Sequence, residues 1–138
     1  MNDIKFANKT HEAAFYTFIE RMSKADCYRI SLAYLFALDS VCRSHINGLY
    51  NFDEDCIIPN SIMQSWQTST SLRTTRLAFN LYNSFIGRIY DDDTESEVQI
   101  DPQMRYSVDE IFSCSYAPYY YEAIRLRYPE YCVGNDDE

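Results

Sequence analysis

Residues 27–38 read CYRISLAYLFAL and carry apolar side chains nearly all the way round a helix. A helix that is apolar on every side is usually buried at the centre of its domain. Asp26 precedes this stretch, and Asp is a residue type that accepts hydrogen bonds from the first amides of a helix. The sequence therefore predicts a central helix over residues 27–38.

One helix is predicted on each side of this central helix. On the N-terminal side, Thr10 can cap a helix that runs to about Met22. Its apolar residues recur at spacings of three and four, which is typical of a helix with one buried face. They are Phe15, Phe18, Ile19 and Met22. On the C-terminal side, Asp39 or Ser40 can cap a short third helix. We expect it to end near Gly48, because glycine suits the left-handed conformation just after a helix.

The middle of the chain carries three further signals. Residues 56–58 can form a brief strand, and Asn60–Ser61 can cap a short helix through Trp66. The hydroxyl-rich run 68–71 can cap the next helix, which is predicted over residues 72–85.

The C-terminal part contains two helix starts. Ser107 and Glu110 match the capping-box spacing and predict a short helix through Cys114. Pro118 suits the first turn of a last helix, which Pro129 is expected to end.

Polar and charged residues fill the stretch 88–106. We expect a long exposed acidic loop, in which residues 88–90 and 98–100 can pair as a hairpin. Loops of this length are uncommon in compact domains and are either functional or disordered.

The predicted fold class is mainly α. We expect a single compact helical domain over residues 1–132, with about six helices and a long acidic loop that has room for a minor hairpin. Residues 133–138 are expected to be a frayed acidic tail. The predicted core consists of Phe15, Ile19, Leu32, Leu35, Phe36, Trp66, Leu77, Leu81 and Ile124.

Charge is the outlying feature of the composition. The 138 residues include 21 acids and 12 bases, for a net charge of −9. This balance argues against direct binding of nucleic acid or of an anionic membrane. The longest nearly apolar run, residues 30–38, is far below the ~20 residues that span a bilayer. The N-terminus has no apolar stretch of the length a signal peptide needs, so we expect a cytoplasmic protein.

Neither catalysis nor a metal site is predicted. The histidines His11 and His45 lie in no recognised catalytic motif, so we expect no enzyme activity and no cofactor. A metal can use Cys42, His45 and Cys56, but closed zinc sites need four ligands at recognisable spacing, and a buried Cys42 is the simpler interpretation. Asp91, Asp93 and Glu95 are acids at every second position, which is also the spacing of ligands in calcium-binding loops. They lack the glycine and the final glutamate of the EF-hand, so a loosely held ion is the remaining alternative there.

Four stretches together carry a resemblance to a known family. They are WQTSTSL (66–72), TRLAFNL (75–81), FSCSYAPY (112–119) and RLRYPEYC (125–132). They resemble a family of small acidic proteins of unknown function from Gram-positive bacteria, whose members tend to sit on prophages and other mobile elements. The resemblance runs from His11 to Cys132 and brings no established activity. By analogy with other small acidic proteins on such elements, it implies an inhibitor of host defence, including the anti-CRISPR type.

Six carboxylates fall within residues 91–101, and such a run can imitate the phosphate row of a nucleic acid. It would occupy a groove lined by Lys and Arg, in a complex that weakens with salt. We therefore predict a basic, nucleic-acid-binding host protein, such as a Cas effector, as the partner. The alternative is that the acids only solvate a flexible loop. The predicted partner-binding acids are Asp91, Asp92, Asp93, Glu95, Glu97 and Asp101.

Tyrosines of the last helix are a second predicted contact. Tyr116 and Tyr120 are four residues apart and share a face, whereas Tyr119 and Tyr121 diverge, so some of them must point outward. Exposed tyrosines beside arginines are common in interface hot spots, although core packing is the alternative. Tyr119, Tyr120 and Tyr121 are therefore included among the partner-binding residues.

Two other classes of function remain open. Arg73 and Arg76, with Ser71 and the rest of the hydroxyl run 68–71, can hold a phosphate or a carboxylate at a helix N-terminus, as in a small-molecule or nucleotide-binding domain. We prefer the competing interpretation, in which these two arginines, and Arg125 and Arg127 of the last helix, pair internally with Glu122, Glu130 or the acidic loop. The third alternative is a homo-oligomeric structural protein that packs through the tyrosine-rich last helix.

Overall fold

The computed structural model describes residues 3–132. Within this range the chain is mostly helical, as predicted, with eight α-helices rather than about six and with two small antiparallel hairpins. The helices are α1 (Lys9–Arg21), α2 (Cys27–Leu38), α3 (Ser40–Ser44), α4 (Ile46–Leu49), α5 (Ser69–Asn83), α6 (Val108–Phe112), α7 (Ala117–Arg127) and α8 (Pro129–Cys132). The strands are β1 (Tyr50–Asn51), β2 (Cys56–Ile57), β3 (Arg88–Asp91) and β4 (Ser96–Gln99).

Helix α2 lies at the centre of the fold, as its apolar sequence predicts. Every residue from Ile30 to Leu38 is buried, and α1, α5 and α7 pack around it. Asp26 is its N-cap, with a side chain that accepts a hydrogen bond from the amide of Arg29 at 3.0 Å. None of the described helices is long and apolar enough to cross a membrane.

Several helix ends differ from the predictions. Asn8, not Thr10, caps α1, because its Oδ1 accepts from the amide of His11 at 2.8 Å. The third predicted helix begins after Asp39 as expected but is split at His45 into α3 and α4. Gly48 therefore lies inside α4 rather than in a left-handed cap.

Helix α5 begins three residues earlier than predicted, because the hydroxyl run forms its first turn. Thr68 and Ser71 cap each other reciprocally, with each side chain bonded to the other's amide. The short helix predicted through Trp66 is a 3₁₀ helix over Pro59–Met63 without a side-chain cap. Pro129 starts α8 rather than ending α7, which already stops at Arg127.

The hydrophobic core confirms six of the nine predicted residues. Phe15, Leu32, Leu35, Phe36, Leu77 and Leu81 are buried. Ile19, Trp66 and Ile124 are only partly buried and pack against the edge of the core. Trp66 lies there because its ring stacks on His45, with the ring centroids 4.0 Å apart.

Candidate functional site

The predicted hairpin within the acidic stretch is present and formed by β3 and β4; we call residues 88–99 the acidic hairpin. Its central pair, Ile89 and Val98, is partly buried, whereas the flanking residues of both strands face solvent. The next pair towards the tip joins Tyr90 to Glu97, and Tyr90 is 63% exposed. The hairpin thus has one apolar inner face and one outer face in water, as expected for strands packed on one side only.

The turn of the acidic hairpin is organised by its own hydrogen bonds. The amide of Asp93 donates to Oδ1 of Asp91 at 2.9 Å, and the hydroxyls of Thr94 and Ser96 are 3.0 Å apart. Glu95 takes the left-handed conformation, with φ of 56°. These contacts fix the backbone of the tip. They leave the carboxylates of Asp92, Asp93 and Glu95 exposed, whereas Asp91 is partly buried.

Very little positive charge offsets these carboxylates. The acidic hairpin carries five acids and one arginine. Among the described residues, its one ion pair joins Arg88 to Glu97 at 3.9 Å, and both side chains are largely exposed. An exposed pair at this distance contributes little, at about 0–1 kcal/mol. The hairpin therefore presents a negative surface to solvent.

Asp101 is not part of this surface, and its assignment to the partner-binding acids is corrected. Its side chain is only 1% exposed. It accepts two hydrogen bonds from the buried Arg76, at 2.7 and 2.8 Å, and one from the hydroxyl of Tyr106 at 3.0 Å. Burial acts to raise the pKa of Asp101, but the hydrogen bonds and charge of Arg76 outweigh it and lower the pKa.

The Arg76–Asp101 pair holds the base of the acidic hairpin against α5. Gly87 lies at the start of the hairpin with φ of 91°, and a Cβ there would come within 2.6 Å of the Cβ of Asp101. Its carbonyl accepts from the amides of Ile100, at 2.8 Å, and of Asp101, at 3.2 Å. Both ends of the hairpin are therefore fixed to the helical body.

The tyrosines of α7 separate by face, as the helical spacing predicts. Tyr120 is fully buried, and its hydroxyl lies 2.7 Å from Thr74 Oγ1, so its assignment to the partner-binding residues is corrected. Tyr119 is partly buried. Tyr121 is 59% exposed and stacks on Phe112.

A second acidic cluster, Asp53–Asp55, is partly engaged within the fold. Asp55 is engaged internally by Arg29 and Tyr50. The hydrogen bond from Arg29 holds the pKa of Asp55 well below its usual value. Asp53 and Glu54 remain exposed in the turn between β1 and β2. The predicted acidic tail, residues 133–138, lies outside the described residues.

Two of the four arginines, Arg76 and Arg125, follow the internal ion pairing that we preferred, whereas Arg73 and Arg127 donate to backbone carbonyls. Arg125 binds Glu122 through two nitrogens, at 2.7 and 2.8 Å. Ser71, proposed for the alternative anion site, is fully buried as part of the α5 cap. Arg76 is occupied by Asp101, whereas Nε of Arg73 donates only to the carbonyl of Glu110 at 2.9 Å.

Residues 3–132 contain no group of three or more His, Cys, Asp or Glu side chains that could hold a metal ion. Cys42 is buried, in line with the simpler interpretation of the sequence. His11 is also buried. Desolvation by that burial is the main cause that lowers its pKa, against the opposing effect of its hydrogen bond to the Tyr34 carbonyl.

Sequence reasoning missed two features near the site. The first is the exposure of Tyr90 beside the acids. Tyr90 faces solvent because it alternates along β3 with Ile89, which points inward. Gln103 and Arg105 carry no recognisable motif, yet they lie across from Arg73 and Arg76 in a small cavity. No local signal could have identified that arrangement.

A family model described as a family of unknown function (DUF6075) matches residues 1–138. Comparison with the curated proteins finds no match, and neither does comparison with the solved structures.

Proposed function

The chain belongs to this family of unknown function, and from its own residues we propose that it is a non-enzymatic binding protein whose acidic hairpin occupies a basic groove of a nucleic-acid-binding partner. In its concrete form, it is a cytoplasmic counter-defence protein from a mobile element of a Gram-positive bacterium, and it blocks a Cas effector in the manner of an anti-CRISPR protein. The supporting observation is an ordered hairpin that carries five carboxylates and a single weak ion pair.

The geometry suits this role because the charge is preorganised. Each strand of the hairpin has four residues, so the turn lies roughly 13 Å beyond the base at the usual rise of a strand. A fixed row of carboxylates loses less conformational entropy on binding than a disordered acidic loop would lose. The exposed Tyr90 adds an aromatic side chain to the same outer face.

The decisive variant neutralises the hairpin without disturbing its fold. It combines Asp91→Asn, Asp92→Asn and Asp93→Asn with Glu95→Gln and Glu97→Gln. Asn at position 91 keeps the side-chain oxygen that accepts from the amide of residue 93. At about 0.2–1 kcal/mol for each exposed pair, five pairs account for about 1–5 kcal/mol. We therefore expect binding to weaken by about fivefold or more.

The matched control removes five exposed charges elsewhere: Glu12→Gln, Glu20→Gln, Asp53→Asn, Glu54→Gln and Glu130→Gln. Both variants then carry the same net charge. The wild-type chain is used to capture partners from a host lysate at low and high salt, and the captured protein is identified by mass spectrometry. Its affinity for each variant is then measured.

We expect the captured protein to bind nucleic acid. Its complex with this chain should dissociate at high salt and when nucleic acid is added. The control variant should bind as the wild type does. Equal affinity of the hairpin variant and the wild type would contradict the proposal, as would binding that resists salt and nucleic acid.

A further inference from the structure

A small cavity lies beside the base of the acidic hairpin, along one face of α5. Its α5 wall consists of residues spaced three and four apart, namely Ser69, Leu72, Arg73 and Arg76. The rest of the lining is formed by Gln103 and Arg105, from the segment after the hairpin, and by Glu110 of α6. Three arginines therefore converge on one cavity in a strongly acidic protein.

Each arginine keeps donors that its known contacts do not use. Of the guanidinium nitrogens of Arg73, Nε donates to the carbonyl of Glu110 at 2.9 Å. Arg76 binds Asp101 through Nε and Nη2, so this pair does not use Nη1. Arg105 has one ion pair within residues 3–132, a loose contact of 3.5 Å between its Nη1 and the carboxylate of Glu110.

The charges around the cavity do not cancel. Asp101 balances Arg76, and Glu110 lies beside Arg105. Arg73 forms no ion pair with a carboxylate of the described residues, and it supplies the remaining positive charge. Helix α5 begins at Ser69 on the same wall, and its capping box already uses the amides of Thr68 and Ser71, which leaves those of Ser69 and Thr70. They favour an anion by both hydrogen bonding and the helix dipole.

The size of the cavity limits the ligand. Its volume is about 90 Å³, well below the roughly 300–1,000 Å³ of pockets that enclose drug-sized molecules. A nucleotide would therefore leave its base and sugar outside, with no enclosed contacts to hold them. A single tetrahedral oxyanion matches both the volume and the fork-like donors of arginine.

We propose that this cavity is a binding site for a small oxyanion of the phosphate class, with Arg73 as its principal ligand and Arg76, Arg105 and Gln103 around it. The site narrows the anion-binding alternative that the sequence suggested: Ser71 takes no part, Gln103 and Arg105 are added, and a nucleotide is not the ligand. It is independent of the partner-binding role of the acidic hairpin.

The test is a titration of the isotope-labelled protein with inorganic phosphate at constant ionic strength, followed by NMR and by calorimetry. We expect saturable shifts confined to the amides at the start of α5 and at residues 103–105. Arg73→Gln should weaken binding by about tenfold or more, since it removes charged hydrogen bonds. Arg105→Gln, on a more exposed side chain, should also weaken binding and serves as the second variant if Arg73→Gln does not fold.

The control is Arg88→Gln, which removes the same charge from the exposed strand of the hairpin and should leave phosphate binding unchanged. Shifts that do not saturate, or that appear equally with chloride, would overturn the site. So would unchanged affinity in both cavity variants. A nucleotide that binds more than tenfold tighter than inorganic phosphate would overturn the assignment to a small oxyanion.

Discussion

Asp101→Asn is the substitution with the largest effect that the structure predicts at the hairpin base. The carboxylate accepts two hydrogen bonds from Arg76 and one from Tyr106 while almost fully buried. An Asn side chain keeps one acceptor oxygen but turns an amide group toward one of these donors. The buried guanidinium of Arg76 then has no counter-charge.

The expected loss follows from this geometry. Breaking a buried ion pair by removing one partner costs about 3–5 kcal/mol, mostly because the other charge remains buried. Glu97→Gln removes the same charge from the exposed pair with Arg88, and it should cost less than about 1 kcal/mol. The double variant Arg76→Met with Asp101→Asn should be more stable than Asp101→Asn alone, because no unpaired guanidinium is buried in it.

Urea unfolding at neutral pH measures all three variants. The comparison is between free energies of unfolding, provided that the slope against urea concentration is unchanged. A loss below about 1 kcal/mol in Asp101→Asn, similar to that of Glu97→Gln, would refute the importance of the buried pair.

Four further outcomes are expected in stability measurements. Gly87→Ala should cost more than about 1 kcal/mol, because φ is 91° and the added Cβ meets Asp101. Gly48→Ala, inside helix α4, adds a Cβ that meets the Trp66 ring at 4.0 Å without a clash, so it should instead stabilise the protein by up to about 1 kcal/mol in the same urea assay. Thr68→Ala should lower the thermal midpoint through loss of about 1 kcal/mol of capping at α5, and an unchanged midpoint would contradict that cap. Acidification should destabilise the fold in two stages. His11 has a lowered pKa, so its contribution is present above the usual value of ~6.5 and is lost as the pH falls below it. Asp101 also has a lowered pKa, so its contribution to stability is lost in the second stage, as the pH falls below about 4. The first stage should be absent from unfolding curves of His11→Gln.

The helices could be predicted because their signals are local. Apolar spacing identified α1, α2 and α5, and the Asp26, Asp39 and Ser107 caps lie where the sequence places them. Helix ends were less predictable where two capping residues compete, as Asn8 and Thr10 do. Both are suitable residue types, and tertiary packing decides between them.

The site was only partly predictable because its decisive contacts are long-range. The acidic run and the hairpin strands are visible in the sequence, yet the burial of Asp101 depends on Arg76, 25 residues earlier in the chain. Tyr120 likewise turns inward because Thr74, 46 residues away, offers its hydroxyl a partner. Composition and local spacing carry no information about such pairs.

The ends of the acidic hairpin meet, since the amide of Ile100 donates to the carbonyl of Gly87 at 2.8 Å. A segment whose ends already lie together can change in length or composition at a small entropic cost, and the packing of the core does not have to change. Relatives of this chain should therefore concentrate their insertions, deletions and charge exchanges between Gly87 and Asp101. The helical body then stays the same while the length and charge of this one surface segment change.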